Sequence, residues 1–573
     1  MLYLITFLFS SFVFAAESIC PSVVIHSKED MKFTDTEVRL MCGDKKVAAY
    51  SNIPDYQASY FLKGFLESRG YLKPKFEIID EALHVRVGKK YKLKKISVSS
   101  KPLDEIKILE EATDRIYLQE VMTPGLLNSL EGQSKRILRE NGYPCVGVKS
   151  EAVVDEESVN IILDKTSFHT FGNVQKEEIE GLYPEALARY YPYKESDSFD
   201  ERLLRLNEKR LLRAEVVQGT YYLENCSVDG SDFSMSQNYL TGPPRTFRFG
   251  VGASTELGPM ARLVWSHNRF GPMASILSGR IVSSFRTQSL SLMADNFFWK
   301  NAPRRSVLSE LNITRESQID FEQFLIKVSP ASMKWTDDFS GRGSTLIMGP
   351  SLESGTFHSK ENKTRSYNSA VLEASYNLMS HTYELFDIFP EEGDVLNLKT
   401  SFRHPTLGFS DPALKLEGSF AKLDRIGELG KGTIIGGARL SAGTLFINSD
   451  ISPSTLPPAV KFYGGGSDDI RGFQLSTLPN NDGIGALTHT TLKLETRHTY
   501  FFHHAIESFL FVDGGYFGYE TLSTTSNLFY SPGFGLRWKS PIGLVQGYWA
   551  RALTLSPNED KGNLFYAGLG GAF

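Results

Sequence analysis

The second half of the chain has a sequence period of two. From about Phe247 onward, short segments of alternating apolar and polar residues are separated by turn residues and polar loops. In TLKLETR, Leu492 and Leu494 lie on one face and Lys493 and Glu495 on the other, which is typical of a strand between apolar and polar surroundings. The region is long enough for about sixteen strands of roughly 9 to 11 residues. The pattern predicts a closed all-β barrel, with a soluble β-sandwich as the alternative.

The N-terminus predicts export. The first sixteen residues, MLYLITFLFSSFVFAA, are apolar and end in small residues, which is typical of a secretory signal peptide cleaved near Ala15 or Ala16. No later stretch of about 18 apolar residues predicts a transmembrane helix. A spanning chain without such a helix has to close as a barrel, because unpaired backbone groups cannot face lipid. We therefore expect a barrel in a bacterial outer membrane, ending on Phe573 within an alternating strand.

The four cysteines favour disulfides. Cys20, Cys42, Cys145 and Cys226 are an even number in an exported chain, which is typical of disulfide pairing. We expect Cys20 with Cys42 and Cys145 with Cys226, among about three possible connectivities. A lipid-modified Cys20 is disfavoured because Ile19 stands where such a signal needs a small residue. No CxxC or paired Cys/His spacing supports a zinc site.

The charge balance and the motifs argue against nucleic-acid binding and catalysis. A net charge of -5 provides no basic stripe for phosphates. The densest histidine pair, His503 and His504, follows Tyr500 to Phe502, so an aromatic interface belt explains it better than a metal does. GVGAST and GGGSDD match no dinucleotide or phosphate loop, and no GxSxG elbow occurs. We expect no enzyme activity, no metal and no cofactor.

Three helical segments recur before residue 240. One helical face ends at Gly70 and a second at Gly142, roughly 70 residues later, and a tyrosine follows each glycine. A third segment lacks the Gly-Tyr pair, and its expected face consists of Leu203, Leu204, Leu211 and Leu212. The predicted domains are therefore a signal peptide at 1–16, α+β repeats at 17–90, 91–165 and 166–235, and the barrel at 240–573.

The most specific motif lies between Lys461 and Asn480 and contains Ile470, Arg471, Gly472 and Phe473. FVDGG and GLRWKSPIG follow it in the next strands. In this order the motifs resemble the POTRA-barrel outer-membrane superfamily (the bacterial surface antigen family), in which a (V/I)RG(F/Y) tetrapeptide folds back into the lumen. RFGVGASTELGPMARLVW and the three repeats look most like the TamA family, the outer-membrane subunits of the translocation and assembly module. The resemblance covers essentially the whole mature chain and implies that the repeats are POTRA domains.

The resemblance implies two sites, a signature loop and a barrel seam. Arg471 is expected to pair with Asp513, with Glu495 as a second candidate, because a guanidinium in a lumen is costly unless it meets a carboxylate. An ordinary extracellular loop with a charged tip is the alternative. The glycines expected to allow close approach and positive φ are Gly464, Gly465 and Gly466. The expected seam between the first and last strands includes Phe249, Val251, Leu569 and Phe573.

The resemblance also implies a function in assembling outer-membrane or autotransporter-type proteins, whose strands the exposed seam would template. The expected partners are outer-membrane lipid, unfolded outer-membrane clients and a TamB-like inner-membrane-anchored protein, with no nucleic acid. The repeats would lie in the periplasm, and the first would dock that partner near Leu83 to Val87. The alternatives are a generalist BamA-like insertase, a two-partner-secretion pore and, from other classes, a passive porin or a barrel enzyme.

Overall fold

The computed structural model describes residues 15–27, 29, 31–46, 53–99, 106–172, 174–319, 321–339, 341–359, 364–385, 390–404, 412–430, 432–447, 456–479, 484–523, 528–541, 543–554 and 562–569. Most of the predicted signal peptide, residues 1–14, lies outside these ranges, as does Phe573. The described residues form two compact units, one within 1–173, 195–201 and 224–235, and the other within 174–194, 202–223 and 236–573.

The first module is a sheet covered by two helices. Its elements are β1 (Ala15–Cys20), β2 (Val23–Ser27), α1 (Asp35–Cys42), α2 (Asp55–Glu67), β3 (Lys75–Ile79) and β4 (Ala82–Arg86). The strand order is β1-β2-β4-β3, so β3 is an edge strand among the described residues. Leu62 and Leu66 recur at helical spacing on α2 and are buried in the module's apolar core. A disulfide between Cys20 and Cys42 joins β1 to α1.

The second module repeats this plan with three strands in the described chain. Its elements are β5 (Lys95–Ser99), α3 (Ile106–Tyr117), α4 (Pro124–Arg139), β6 (Gly147–Val153), a 3₁₀ turn (Val154–Glu156) and β7 (Ser158–Asp164). The strand order is β5-β7-β6. Helix α4 begins after Thr123, whose hydroxyl accepts a hydrogen bond from the backbone of Leu126. Leu130 and Leu138 then bury the apolar face of α4 in the core.

The third module extends further along the chain than its expected end at 235. Its elements are β8 (Gln175–Lys176), α5 (Glu185–Ala188), α6 (Glu201–Arg213), β9 (Gly219–Cys226) and β10 (Phe233–Leu240), with strand order β8-β10-β9. The expected end at 235 falls inside β10, which continues to Leu240. Gln237 of β10 is buried. The amide of Gln237 donates to Asn207 Oδ1 at 2.8 Å and to Thr220 Oγ1 at 3.1 Å. Cys145, just before β6, and Cys226, the last residue of β9, form a disulfide.

The buried face of α6 differs from the expected one. Leu204 and Leu211 are buried, but Leu212 is 37% exposed. Leu206 and Asn207 between them are also buried, and Asn207 follows the helical spacing of three and four residues. Because Asn207 is polar, the apolar pattern did not reveal its position. None of the helices in the described chain is long and apolar enough to cross a membrane.

All three modules end their second long helix in the same way. Gly70 and Gly142 have left-handed backbones with φ of 87° and 101°, and Glu215 takes the equivalent position with φ of 52°. After each, a backbone N–H returns to a leucine carbonyl, from Tyr71 to Leu66 (2.9 Å), Tyr143 to Leu138 (3.1 Å) and Val216 to Leu211 (3.3 Å). The turn is therefore kept in the third module without the Gly-Tyr pair.

The remaining chain forms a closed antiparallel barrel, which confirms the predicted all-β barrel. Its strands are β11 (Arg245–Ser254), β12 (Gly258–Phe270), β13 (Ser275–Ser283), β14 (Thr287–Asn296), β15 (Arg305–Ser317), β16 (Phe321–Phe339), β17 (Arg342–Ser359), β18 (Thr364–Ser380), β19 (Gly393–His404), β20 (Ala413–Leu429), β21 (Gly432–Phe446), β22 (Thr488–His498), β23 (Ile506–Gly518), β24 (Leu528–Ser540), β25 (Gly543–Arg551), β26 (Leu553–Thr554) and β27 (Asn563–Leu569). Because β26 continues β25, the described residues give sixteen strands. A short helix, α7 (His381–Leu385), connects β18 to β19. We call the end at which β11 begins proximal and the opposite end distal.

The two faces of the barrel wall have different compositions. Leu492 and Leu494 are 43% and 46% exposed on the outside, while Glu495 faces inward and is mostly buried. The inward face is not polar throughout, because Phe517 and Phe529 near the distal end are buried in an apolar core. The alternation gave no sign of this apolar part of the lumen, which a long loop fills.

Candidate functional site

The connection between β21 and β22 turns back into the lumen from the distal end. Phe462 pairs with Ala486, with backbone hydrogen bonds of 2.9 and 2.8 Å, and Gly464 pairs with Leu478 at 3.2 and 3.1 Å. The loop therefore begins as an irregular hairpin. Its apolar side chains pack with the distal wall in one core that includes Leu456, Val460, Phe462, Ile470, Leu478, Phe517 and Phe529. Phe473 packs against this core.

Arg471 fixes the tip of this loop to two neighbouring strands. Its Nε lies 2.7 Å from Asp513 Oδ2 and its Nη2 lies 2.8 Å from Asp513 Oδ1, and its backbone N–H donates to the same carboxylate at 3.0 Å. Its Nη1 donates to Glu495 Oε2 at 2.5 Å. The guanidinium also lies 3.6 Å from the ring centre of Phe511. Because Arg471 is 4% and Asp513 0% exposed, the bidentate pair compensates for the loss of water around both charges.

Glu495 is shared by three guanidinium groups. Besides Arg471, it accepts hydrogen bonds from Arg497 Nε at 2.6 Å and from Arg537 Nη1 at 2.9 Å. Both additional arginines come from the inward face of the β22 to β24 wall. In the sequence analysis Glu495 was the second candidate partner of Arg471, after Asp513, and the alternation of TLKLETR and GLRWK gave no sign that all three cations meet at one carboxylate.

Glycine is required where the loop backbone meets the wall. Gly472 has φ of 120°, and a Cβ there would collide with Ser531 Oγ. Gly466 has φ of 97°, and a Cβ would lie 2.7 Å from Glu256 Oε1. Gly464 and Gly465 lie in the same close-packed stretch. A side chain at either of these glycines would therefore push the signature loop away from the barrel wall.

Glu256 is a second attachment point that the sequence did not reveal. It lies in the turn between β11 and β12 and accepts hydrogen bonds from Ser467 N at 3.1 Å and from Ser467 Oγ at 2.8 Å. A single acidic residue in a short turn forms no recognisable motif, so the sequence could not predict its contact with the loop. The loop is therefore attached both to the β22–β23 wall and to the first hairpin.

The seam between the first and last strands is short within the described residues. Ala253 pairs with Leu569 and Ser254 with Gly568, and Thr255 N donates to Ala567 O at 2.9 Å. Of the other seam residues expected from the sequence, Phe249 and Val251 lie on β11 with exposures of 68% and 65%, and Phe573 lies outside the described residues.

The third module contacts the proximal end of the barrel through charged residues. Arg210 on α6 lies 3.0 Å from Asp338 at the end of β16 and 2.7 Å from Glu384 on α7. Glu215 contacts the first two strands, with Arg248 Nη1 at 2.6 Å, Asn268 Nδ2 at 2.9 Å, Ser266 Oγ at 3.2 Å and the hydroxyl of Thr246 as its partners. These contacts were not predicted, because a long-range pairing leaves no periodic trace in the sequence.

The described residues contain no group of three or more His, Cys, Asp or Glu side chains that could hold a metal ion. His503 and His504 lie in the proximal connection between β22 and β23, with ring centres 3.9 Å apart. Both are exposed beside exposed Phe502. Their position at one rim of the barrel agrees with an interface belt.

A closed sixteen-strand barrel with a loop anchored in its lumen and preceding α/β modules has the architecture of an outer-membrane barrel. Residues 307–573 match the Omp85 superfamily domain, and a sixteen-strand barrel of this kind implies an outer-membrane location. The fold is similar to BamA from Haemophilus ducreyi lacking POTRA domains 1–3, at 14% identity and a TM-score of 0.51, over 84% of this chain and 100% of that one. CdiB from Acinetobacter baumannii matches at 13% identity and a TM-score of 0.46, over 84% of this chain and 90% of that one.

Proposed function

We propose that the protein is an outer-membrane assembly factor that inserts or translocates outer-membrane and autotransporter-type proteins. The observation that carries the proposal is that, within the described residues, β11 pairs with β27 at only two positions, whereas β22 pairs with β23 along its whole length. An opened seam exposes backbone N–H and C=O groups, which can pair with an incoming strand of a client. The Omp85 domain of the barrel supports the same function.

The anchored loop supports this proposal because it stabilises the wall independently of the seam. Arg471 holds β22 and β23 through Glu495 and Asp513, while the seam strands contribute nothing to that pair. The barrel can therefore part at β11 without releasing the loop from the wall. A protein that templates client strands at its seam requires a wall that stays intact while the seam opens.

A cysteine lock tests the function directly. Ala253 and Leu569 are register partners that both face outward across the seam, so we propose the double substitution Ala253→Cys and Leu569→Cys. In liposomes, the oxidised double variant is expected to insert an unfolded barrel client no faster than protein-free liposomes do. The reduced form should regain activity, because the seam is then free to open.

The matched control places the same lock in the continuous wall. Leu494 and Val512 are also outward-facing register partners, on β22 and β23. Their oxidised double cysteine variant should retain client insertion. Equal activity of the oxidised seam variant and this control would show that the seam does not open during insertion.

At a finer level, we propose a TamA-like role with a TamB-like periplasmic partner. The three α/β modules support this role, and they would lie in the periplasm with the proximal barrel end. The docking strand differs from the expected one, since Leu83 and Val85 on β4 are buried in the centre of the sheet. One edge of the described sheet is β3, where Ile78 is 63% exposed and an extended partner segment could add a strand.

Photocrosslinking from β3 tests this docking. A photoreactive residue at Ile78 is expected to give one large adduct with an inner-membrane-anchored protein, and the same residue at buried Leu83 is the control. A ladder of outer-membrane clients from Ile78 would instead identify the first module as a client receptor.

A further inference from the structure

A cavity of about 290 Å³ lies in the lumen between the signature loop and the proximal end. Ser467, Asp468 and Arg471 of the loop form one side of it. Tyr383 and Pro390, from the proximal connection between β18 and β19, form part of the other side. The cavity is therefore on the side of the loop that faces the proximal end of the barrel.

The lining of this cavity is rich in cations. Six of its residues are basic, namely Lys422, Arg439, Arg471, Lys493, Arg497 and Arg537. Two of these charges are compensated outside the cavity lining, Arg471 by Asp513 and Lys422 by Asp424 at 2.8 Å. Among the described lining residues, the other four cations share the cavity with two carboxylates, Asp468 and Glu495. These described residues leave an excess of two positive charges, or of one when Asp469 of the adjoining cavity is counted.

An adjoining lumenal cavity of about 430 Å³ shares Arg439, Lys493 and Asp468 with this one. Its other described charged residues are Lys399, Glu417 and Asp469. Over both linings, after Arg471 and Lys422 are set aside, five described cations lie beside four carboxylates, so the excess is one positive charge.

The donors that converge on this cavity exceed the acceptors available. Glu495 already accepts hydrogen bonds from three guanidinium groups, each of which carries five N–H donors. Within the described chain, no salt bridge or side-chain hydrogen bond engages Arg439 or Lys493, which face each other across β21 and β22. Their donors point to a ligand that accepts several hydrogen bonds and carries negative charge.

We propose that the cavity binds a phosphate-type oxyanion. A phosphate group carries between one and two negative charges at neutral pH and several acceptor oxygens, so it can compensate an excess of one or two cations and accept hydrogen bonds from several unused donors. Free phosphate and the phosphate of a lipid headgroup share this chemistry. The site is independent of client insertion, so either proposal can fail alone.

The test is the heat-induced loss of the compact barrel form on a gel, measured for the full-length protein in neutral detergent. Inorganic phosphate and pyrophosphate are titrated against chloride at constant ionic strength, because screening alone acts equally in both. Binding is expected to raise the transition temperature by a few degrees, in proportion to the logarithm of phosphate concentration. Equilibrium dialysis of the wild-type protein against labelled phosphate should show one saturable site.

Two variants identify the site. The double substitution Arg439→Gln and Lys493→Gln should abolish the temperature shift and the saturable binding. Arg342→Gln, which removes an exposed cation paired with Asp394 at the proximal end, should leave both unchanged. A shift that survives the double substitution, or the absence of saturable binding in the wild-type protein, would overturn the proposal.

Vesicles separate the two sources of the ligand. Protein in phosphatidylcholine liposomes is dialysed against labelled phosphate with and without lipid A in the bilayer. Loss of phosphate binding in the presence of lipid A identifies a lipid headgroup as the competing ligand. Unchanged binding assigns the site to the free anion.

Discussion

The β22–β23 wall and the β11–β27 seam hold the barrel closed in different ways. Strand β22 pairs with β23 along its whole length, and Arg471 adds a buried ion pair behind that ladder. At the seam, the described pairing is confined to Ala253 and Ser254, with two further hydrogen bonds between Thr255 and Ala567. The wall is thus stabilised by a continuous ladder and a buried charge pair, whereas the described part of the seam has a few exposed bonds.

The contrast between wall and seam shows that β11 is held in place partly by side chains that do not belong to β11 or β27. Glu215 of the third module binds residues near its proximal end, and Glu256 links the turn after its distal end to the loop. Each link is a carboxylate that can exchange its partners for water. A strand held in this way can separate from β27 while it remains paired with β12.

The largest effect is expected at the wall anchor. Arg471→Ala leaves the carboxylate of Asp513 buried without its partner, which should cost about 3–5 kcal/mol of stability. Asp513→Ala should cost a similar amount, and the double variant should be little worse than either single one, because the two residues act as a unit. Denaturant titration of the barrel measures the loss, and client insertion should fall with it.

The matched control for this cycle is Arg403→Ala. Arg403 pairs with Glu353 at 3.3 Å in another part of the lumen, and both are almost fully buried. This variant should also lower stability but leave the signature loop protected from proteolysis, whereas Arg471→Ala should expose it. Additive losses in the Arg471 and Asp513 double variant would contradict a functional contact between them.

A smaller effect is expected at the proximal link of β11. Glu215→Ala removes hydrogen bonds to a charged group and should cost about 2–3 kcal/mol. Glu215→Gly removes the same bonds but relieves the left-handed backbone, so it should cost about 1 kcal/mol less. Denaturant titration of both variants gives the difference. Equal losses would show that the φ of 52° at this position stores no strain.

The sequence predicted the wall better than the seam. Asp513 and Glu495 lie on inward positions of alternating strands, and Arg471 belongs to a family motif, so pattern and resemblance led to the same contact. Glu215 and Glu256 follow no pattern, because each binds residues brought near by the fold. A carboxylate in a turn resembles any solvent-exposed acid until its partner is in place.

The same reasoning explains the errors in the fold. Periodicity found α6, but it missed buried Asn207, whose partners Tyr222 and Gln237 lie on the sheet. It placed Leu83 to Val87 on a docking strand, because alternation cannot distinguish a central strand from an edge. The inward position of buried Phe517 was also not predicted. An apolar side chain can face the lumen only where a loop covers it, and the alternation does not show where the loop lies.

The smallest effect, and the sharpest test of the comparison, is expected at the distal link. Glu256→Gln keeps an acceptor for Ser467 but removes the charge, which should cost about 1 kcal/mol. Because Glu256 follows Thr255 in the turn, hydrogen exchange of the Thr255 and Ala567 amides should become faster, while that of Leu494 in the wall stays unchanged. Glu316→Gln is the control, since Glu316 also accepts a side-chain hydrogen bond near the distal end, from Gln323 at 2.8 Å, away from the seam. Faster exchange in the control, or no change in Glu256→Gln, would show that the loop does not steady the seam.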